Sequence, residues 1–232
     1  MKTWESTAGD KIIQLLSGRS NAFLLLSGGK KVIIDTGPHR KWHKLVKHLA
    51  ALNIHQLDYL VLTHAHFDHA SNSNKLKQRY GVSVIIHKGE WSYLEKGMNP
   101  EVRGTVILYK QLLASVGKSL MKWLHYEPCK ADLAVEDLFD MRNLGINACL
   151  MHTPGHTPGS ISVIINDEIA LVGDCLFGIF KSSVYPPVAL DSKELIKSWG
   201  KLLETGCQIF LPSHGHEKTR EQVLKEYDKM KI

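Results

Sequence analysis

The chain lacks the features that mark membrane-spanning and secreted proteins. No apolar run approaches the roughly 18 residues needed to cross a bilayer. The opening MKTWESTAGDK has no apolar centre like that of a secretory leader and carries Glu5 and Asp10. Cysteine is scarce: Cys129, Cys149, Cys175 and Cys207 form no CxxC pair, so free thiols in a reducing compartment are the expectation. Together these absences predict a cytoplasmic protein. Basic residues outnumber acidic ones by 29 to 23, a net charge of +6, but they are scattered and form no continuous run. Charge therefore permits a nucleic-acid groove without indicating one. Repeats, low-complexity tracts and a dividing linker are also missing.

What is present is a chain of 232 residues, 44% hydrophobic, long enough for a large buried core. Short apolar runs come first: KIIQLL, NAFLLL and KVIID, separated by SGRS and SGGK, which reads as strands joined by tight turns. Helical spacing follows in PHRKWHKLVKHLAALNI, with Trp42, Leu45, Val46, Leu49 and Leu52 on the apolar positions. Asp58 to Leu62 is predicted as a buried strand, Ser73 to Tyr80 as a helix and VSVIIH as a strand. Later come NACLMH, SISVII and EIALVG, then a helix from Ser192 to Leu203, the strand QIFLP and a charged closing helix. Hairpins mixed with crossovers predict an α/β fold whose mixed sheets are covered by helices. One domain is expected over residues 1–232, with a helical lid or insertion at about 88–137. Within it, the 104–124 stretch GTVILYKQLLASVGKSLMKWL reads as a packing helix or a basic amphipathic surface.

The chemistry concentrates in THAHFDHA, Thr63 to Ala70, at the end of a predicted buried strand. Functional groups gather in such loops. His64 and His66 stand two apart and can converge on one ion from an extended backbone, while Asp68 and His69 can turn toward a second. Three more segments share this position after a strand: His156 between two Thr-Pro turns, Asp174 after EIALVG, and His214 after QIFLP. A zinc site needs only three protein ligands plus water, so the chain supplies donors in excess of one ion. Other histidines serve as controls. His39, His43 and His48 lie among Arg40, Lys41, Lys44 and Lys47 and read as a solvated helix face. His55, His87, His125 and His152 show no partner pattern.

The combination HxHxDH, TPGHTPG, GD and PSHG, in this order, resembles the metallo-β-lactamase superfamily and, within it, the glyoxalase II-like hydrolases. The resemblance runs from the strands before Asp35-Thr36-Gly37 to His214. It implies a four-layer αββα sandwich of two mixed β-sheets with two metals at one edge. It further implies that His64, His66 and His156 hold one metal, that Asp68, His69 and His214 hold the other, and that Asp174 bridges them. His216 competes with His214, but in similar sequences the ligand precedes the glycine. Asp35 would stand behind the ligands and hold their loop by hydrogen bonds, and Cys175 would be buried beside the site without binding metal.

The implied cofactors are two divalent ions: imidazole and carboxylate ligands suit zinc, with iron or manganese able to take the same places. The implied reaction is hydrolysis of a small ester, thioester or lactone by a hydroxide held between the ions, with Asp68 orienting it and passing a proton. The expected partner is a small-molecule substrate. Nucleic acid and membrane are not expected, although the 104–124 helix could face an apolar substrate or surface, and a homodimer is compatible. Departures from named relatives narrow the substrate. Only 16 residues follow His216, against the helical extension that binds glutathione in true glyoxalase II, and Phe177 stands where similar lactonases place a tyrosine. The competing classes are a mononuclear iron persulfide dioxygenase-like oxidoreductase and a phosphodiesterase or nuclease.

Overall fold

Which layer each strand meets is decided by the alternation of its side chains. The computed structural model describes residues 1–18, 20–105, 124–180 and 183–231. In chain order the strands are β1 (Thr3–Glu5), β2 (Lys11–Leu16), β3 (Ala22–Ser27), β4 (Lys30–Ile34), β5 (Tyr59–Val61), β6 (Ser83–His87), β7 (Arg103–Gly104) and β8 (Leu133–Val135). They continue as β9 (Leu138–Asp140), β10 (Ala148–His152), β11 (Ile161–Ile165), β12 (Ile169–Gly173), β13 (Val188–Ala189), β14 (Ile209–Pro212) and β15 (Lys218–Thr219). The described α-helices are α1 (Trp42–Ala51), α2 (Phe67–Ala70), α3 (Ser73–Tyr80), α4 (Trp91–Lys96), α5 (Ser192–Glu204) and α6 (Arg220–Met230).

One sheet has the order β1-β2-β3-β4-β5-β6-β8, and the other β15-β14-β12-β11-β10-β9. The first is antiparallel up to β4 and parallel from β4 through β5, β6 and β8. In the second, β12 and β14 run parallel. A separate ribbon pairs β7 with β13.

Three apolar interfaces separate four layers. Leu24, Ile33, Leu60 and Val84 pack outward against Leu45 and Leu49 of α1 and Leu76 of α3. Their strand neighbours Phe23, Leu25, Val32, Val61 and Ile85 face inward onto Leu150, Ile161, Val163 and Leu171 of the second sheet. On the far side, Ile164, Ala170, Val172 and Phe210 lie under Leu195, Trp199 and Leu202 of α5 and Val223 of α6. The order is α, β, β, α. Strands buried on both faces read as unbroken apolar runs, and each buried Leu, Ile or Val contributes roughly 1.5–3 kcal/mol. The last two helices start at side-chain caps: Asp191 accepts from the amides of Lys193 and Glu194 at 2.8 and 3.1 Å, and Thr219 forms a capping box with Gln222.

Within 88–137 the described residues hold α4, the short β7 and then β8, which pairs in parallel with β6 as the last strand of the first sheet. The helix expected at 104–124 falls largely on residues 106–123, outside the described residues. No described helix is long and apolar enough to cross a membrane. One finding sets up the site: the C-terminal ends of β4, β5, β12 and β14 share an edge, stitched by Ile161 N–H to the Thr63 carbonyl at 2.9 Å and Asn21 N–H to the Ser213 carbonyl at 2.7 Å.

Candidate metal centre

At that edge the four distant loops deliver all seven side chains singled out in the sequence. His66 is still extended (φ −70°, ψ 149°) and α2 starts at Phe67, so the backbone turns between His66 and Asp68. This places His64 and His66 on one side and Asp68 and His69 on the other. His64 Nε2 lies 2.8 Å from His66 Nδ1, and His66 Nδ1 lies 3.1 Å from His156 Nε2. In the second group His214 Nε2 lies 3.4 Å from Asp68 Oδ2, and His69 Nε2 lies 3.7 Å from Asp68 Oδ1. Asp174 touches both groups: its oxygens stand 3.4 Å from His156 Nε2, 3.5 Å from His69 Nε2 and 3.2 Å from His214 Nε2. Gly173 makes this approach feasible. A Cβ there would lie 2.8 Å from the Thr63 Cβ, and its φ of +53° disfavours any larger residue.

The outer ring nitrogens decide what the inner ones are. His66 Nε2 donates to the Pro100 carbonyl at 3.1 Å, and His156 Nδ1 donates to the Val188 carbonyl at 3.0 Å. His69 Nδ1 donates to Asp35 Oδ2 at 2.8 Å. Thr63 spends its hydroxyl proton on Asp35, so its oxygen accepts from His64 Nδ1 at 3.1 Å. His64, His66 and His156 are neutral rings with one proton each, and it is committed outward. The inner nitrogens of His64, His66 and His156 are therefore bare lone pairs about 3 Å apart, which repel unless a cation sits among them. His69 Nε2 and Asp174 Oδ1 are buried with no hydrogen-bond partner among the described residues. The donor set fits a pair of divalent metal ions.

Charge divides the site. Burial, and then the neighbouring imidazoles, hold His64 and His66 well below the ordinary histidine range. Burial also lowers His156, although Asp174 opposes it. In the other group burial is outweighed: Asp174, Asp68 and Asp35 lift His69 to about 10, and Asp174 lifts His214. Burial would raise Asp174 too, but His214, His69 and His156 bring it far below the usual carboxylate range. Carboxylates here draw in positive charge, which a bound cation would supply.

Asp35 has φ +58° and accepts from the Thr63 amide at 2.9 Å, from His69, and from Ser213 Oγ at 3.0 Å. Sequence reasoning found Asp35 but missed Thr63 and Ser213, whose signal was adjacency, one residue before His64 and one before His214. It also missed Ser20, which donates to the Asp68 carbonyl at 2.5 Å, and Glu90 and Tyr126. Cys175 is buried in the α5 core beside Trp199, its thiol against Thr153, and stands outside the grouped donors. His216 is exposed and lies outside the grouped donors, whereas His214 is among them. Phe177 stacks on His214 at 4.6 Å and offers no hydroxyl. His39, His43, His55 and His125 are exposed, and His87 stacks on His152 at 4.1 Å. His48 departs from the solvated face: its Nδ1 meets the Leu15 carbonyl at 2.5 Å because α1 packs on β2.

Comparison with known proteins agrees with this geometry. A family model described as the metallo-beta-lactamase superfamily matches residues 17–225. The atrochrysone carboxyl ACP thioesterase of Aspergillus fumigatus is 24% identical over 231 residues, 94% of this chain and 61% of that protein. The hydroxyacylglutathione hydrolase of Pelagibacter ubique is 28% identical over 159 residues, 68% of this chain and 52% of that protein. The chain thus spans less than two thirds of either relative. Among solved structures, TTHA1623 in a di-iron-bound form aligns with a TM-score of 0.66 at 22% identity, over 93% of this chain and 97% of that one, which is a likeness of fold. The αββα layers, the glyoxalase II-like resemblance and the clustered histidines and aspartates converge: the chain belongs to the metallo-beta-lactamase superfamily.

Proposed function

We propose that the chain is a dinuclear hydrolase of small acyl substrates, with thioesters ahead of esters and lactones. One observation carries the dinuclear reading: Asp174 lies within 3.2–3.5 Å of His214, His156 and His69, and so reaches histidines of both donor groups. His64, His66 and His156 would hold one ion, Asp68, His69 and His214 the other, and Asp174 both. When bound, such a pair supplies Lewis acidity that acidifies water and polarises a carbonyl. The rest falls to the protein. Asp68 is the most open of the site's carboxylates, its side chain 21% exposed against 5% for Asp174. It is placed to take a proton from the attacking water and return it to the leaving group. Asp35, Thr63 and Ser213 keep the histidine rings oriented while that proton moves.

Thioesters come first because both relatives named above act on acyl carriers or acyl-glutathione, and because Phe177 leaves His214 without the neighbouring hydroxyl expected of similar lactonases. Zinc is the first choice of metal, and the di-iron neighbour makes iron the second. A dioxygenase with a single iron fits less well, because the Asp68, His69 and His214 group is complete. The four free cysteines fit a reducing, cytoplasmic setting.

The test is elemental analysis combined with a screen of thioesters, lactones and phosphodiesters on zinc-loaded protein. Two ions per chain and thioester turnover are expected, with kcat falling about 10²–10⁴-fold in Asp68→Ala. One iron per chain with oxygen consumption would reverse the reading.

A further inference from the structure

The 88–137 segment, whose purpose the sequence left open, grips the metal-binding loop from behind. Glu90 follows the end of β6, next to the end of β5 that carries His64. It is fully buried, and among the described residues no cation pairs with it. Its two oxygens reach different loops. Oε2 accepts from the Ala65 amide at 2.9 Å, between His64 and His66, and Oε1 accepts from the Gly159 amide at 3.0 Å, three residues past His156. A Cβ at Gly159 would stand 2.7 Å from the Glu90 Cγ, so this seat is cut for the carboxylate. The other face of the same peptide is held as well: Tyr126 donates its hydroxyl to the Ala65 carbonyl at 2.8 Å. Asn99 adds an acceptor for the Phe67 amide at 2.7 Å, and Pro100 supplies the carbonyl that fixes the His66 ring.

A buried carboxylate without a cation partner is expensive to keep, and its hydrogen bonds only partly offset that cost. The geometry gives the reason for keeping it. We propose that Glu90, supported by Tyr126, is the positioning residue that sets His64 and His66 against His156, so that these two side chains fix one half of the centre and not the other. Of the loops that supply donors, Glu90 touches only these two. The second group is oriented separately, through Asp35, Thr36 and Ser213, with Thr36 Oγ1 donating to the His69 carbonyl at 2.7 Å. This inference rests on the dinuclear reading.

The experiment is chelator competition on the full-length protein, reading the affinity of each ion separately, with His214→Ala marking the ion of the second group. Cobalt substitution gives a visible spectrum for each site. Glu90→Gln keeps the size but removes one of the two acceptors. It is expected to weaken the ion of the His64, His66 and His156 group about 10–100-fold and to leave the other within about threefold. Tyr126→Phe, which loses one neutral hydrogen bond, is expected to weaken the same ion about three- to tenfold while the melting temperature falls by only about 2–6 °C. Folded Glu90→Gln with parental affinity for both ions, or with equal loss at both, would overturn the proposal. If Glu90→Gln fails to fold, parental affinities in Tyr126→Phe overturn it alone. Parent protein that binds a single ion would refute the dinuclear reading, and the grip of Glu90 would still be read on that ion.

Discussion

The two donor groups share the 63–70 loop and each adds one histidine from elsewhere, His156 or His214, yet they differ in almost every physical respect. His64, His66 and His156 are fully buried, carry no carboxylate of their own and are held neutral. Asp68, His69 and His214 form a carboxylate-bearing group in which Asp68 and His214 are partly open to solvent and both histidines are pushed toward the charged form. The first group is a rigid socket of lone pairs. The second is an anionic rim where a substrate can meet a proton-transfer group. The lesson is that symmetric ligand counts hide a division of labour, set by burial and by what lies behind each ring.

The strongest challenge to that division is Asp174→Ala, because this carboxylate reaches both groups. Metal content is expected to fall below two per chain and activity by more than about 100-fold, since even residues behind the ligands are worth 10–100-fold. Two ions retained in the mutant would break the comparison.

Asp35→Asn is the next largest. Asparagine tolerates the left-handed backbone but offers one oxygen where Asp35 uses two. The second group should lose about 10–100-fold in affinity, and chelator titration should find the first nearly unchanged.

A smaller effect concerns imidazoles packed without a metal. His87 stacks on His152, and burial, then His152, lowers it to about 4. The unfolded chain takes up this proton near pH 6.5 and the folded one only near 4. The contribution is therefore complete above about pH 6.5 and is lost as pH falls toward 4. Urea unfolding across that window should show His87→Phe losing less stability than the parent. Smallest of all is His216→Ala: an exposed ring outside both groups should shift stability by less than about 0.5 kcal/mol and leave turnover intact. A large loss would move the ligand assignment away from His214.

Much of this was legible in the sequence because ligands tied to strand ends recur as short motifs. HxHxDH has the spacing of an extended stretch followed by one helical turn, and unbroken apolar runs such as DYLVL and EIALVG declare strands covered on both faces. The ring-orienting groups were illegible for a physical reason. Pro100 and Val188 act through carbonyls that any residue possesses. Glu90 and Tyr126 act on Ala65 from 25 and 61 positions away. Strands of two or three residues such as β7, β13 and β15 carry no period at all. His48 was misjudged because flanking lysines suggested solvent, whereas the helix turns that ring onto β2.

Asp35 also dictates when the centre can come into being. Its Oδ2 takes hydrogen bonds from His69 and from Ser213, 178 residues further along the chain. A nascent polypeptide on the ribosome exposes His64 through Asp174 well before Ser213 and His214 emerge. The second group then still lacks both His214 and the hydroxyl that completes the Asp35 shell. Its assembly therefore waits until β14 has docked, whereas the three histidines of the first group are already in the chain.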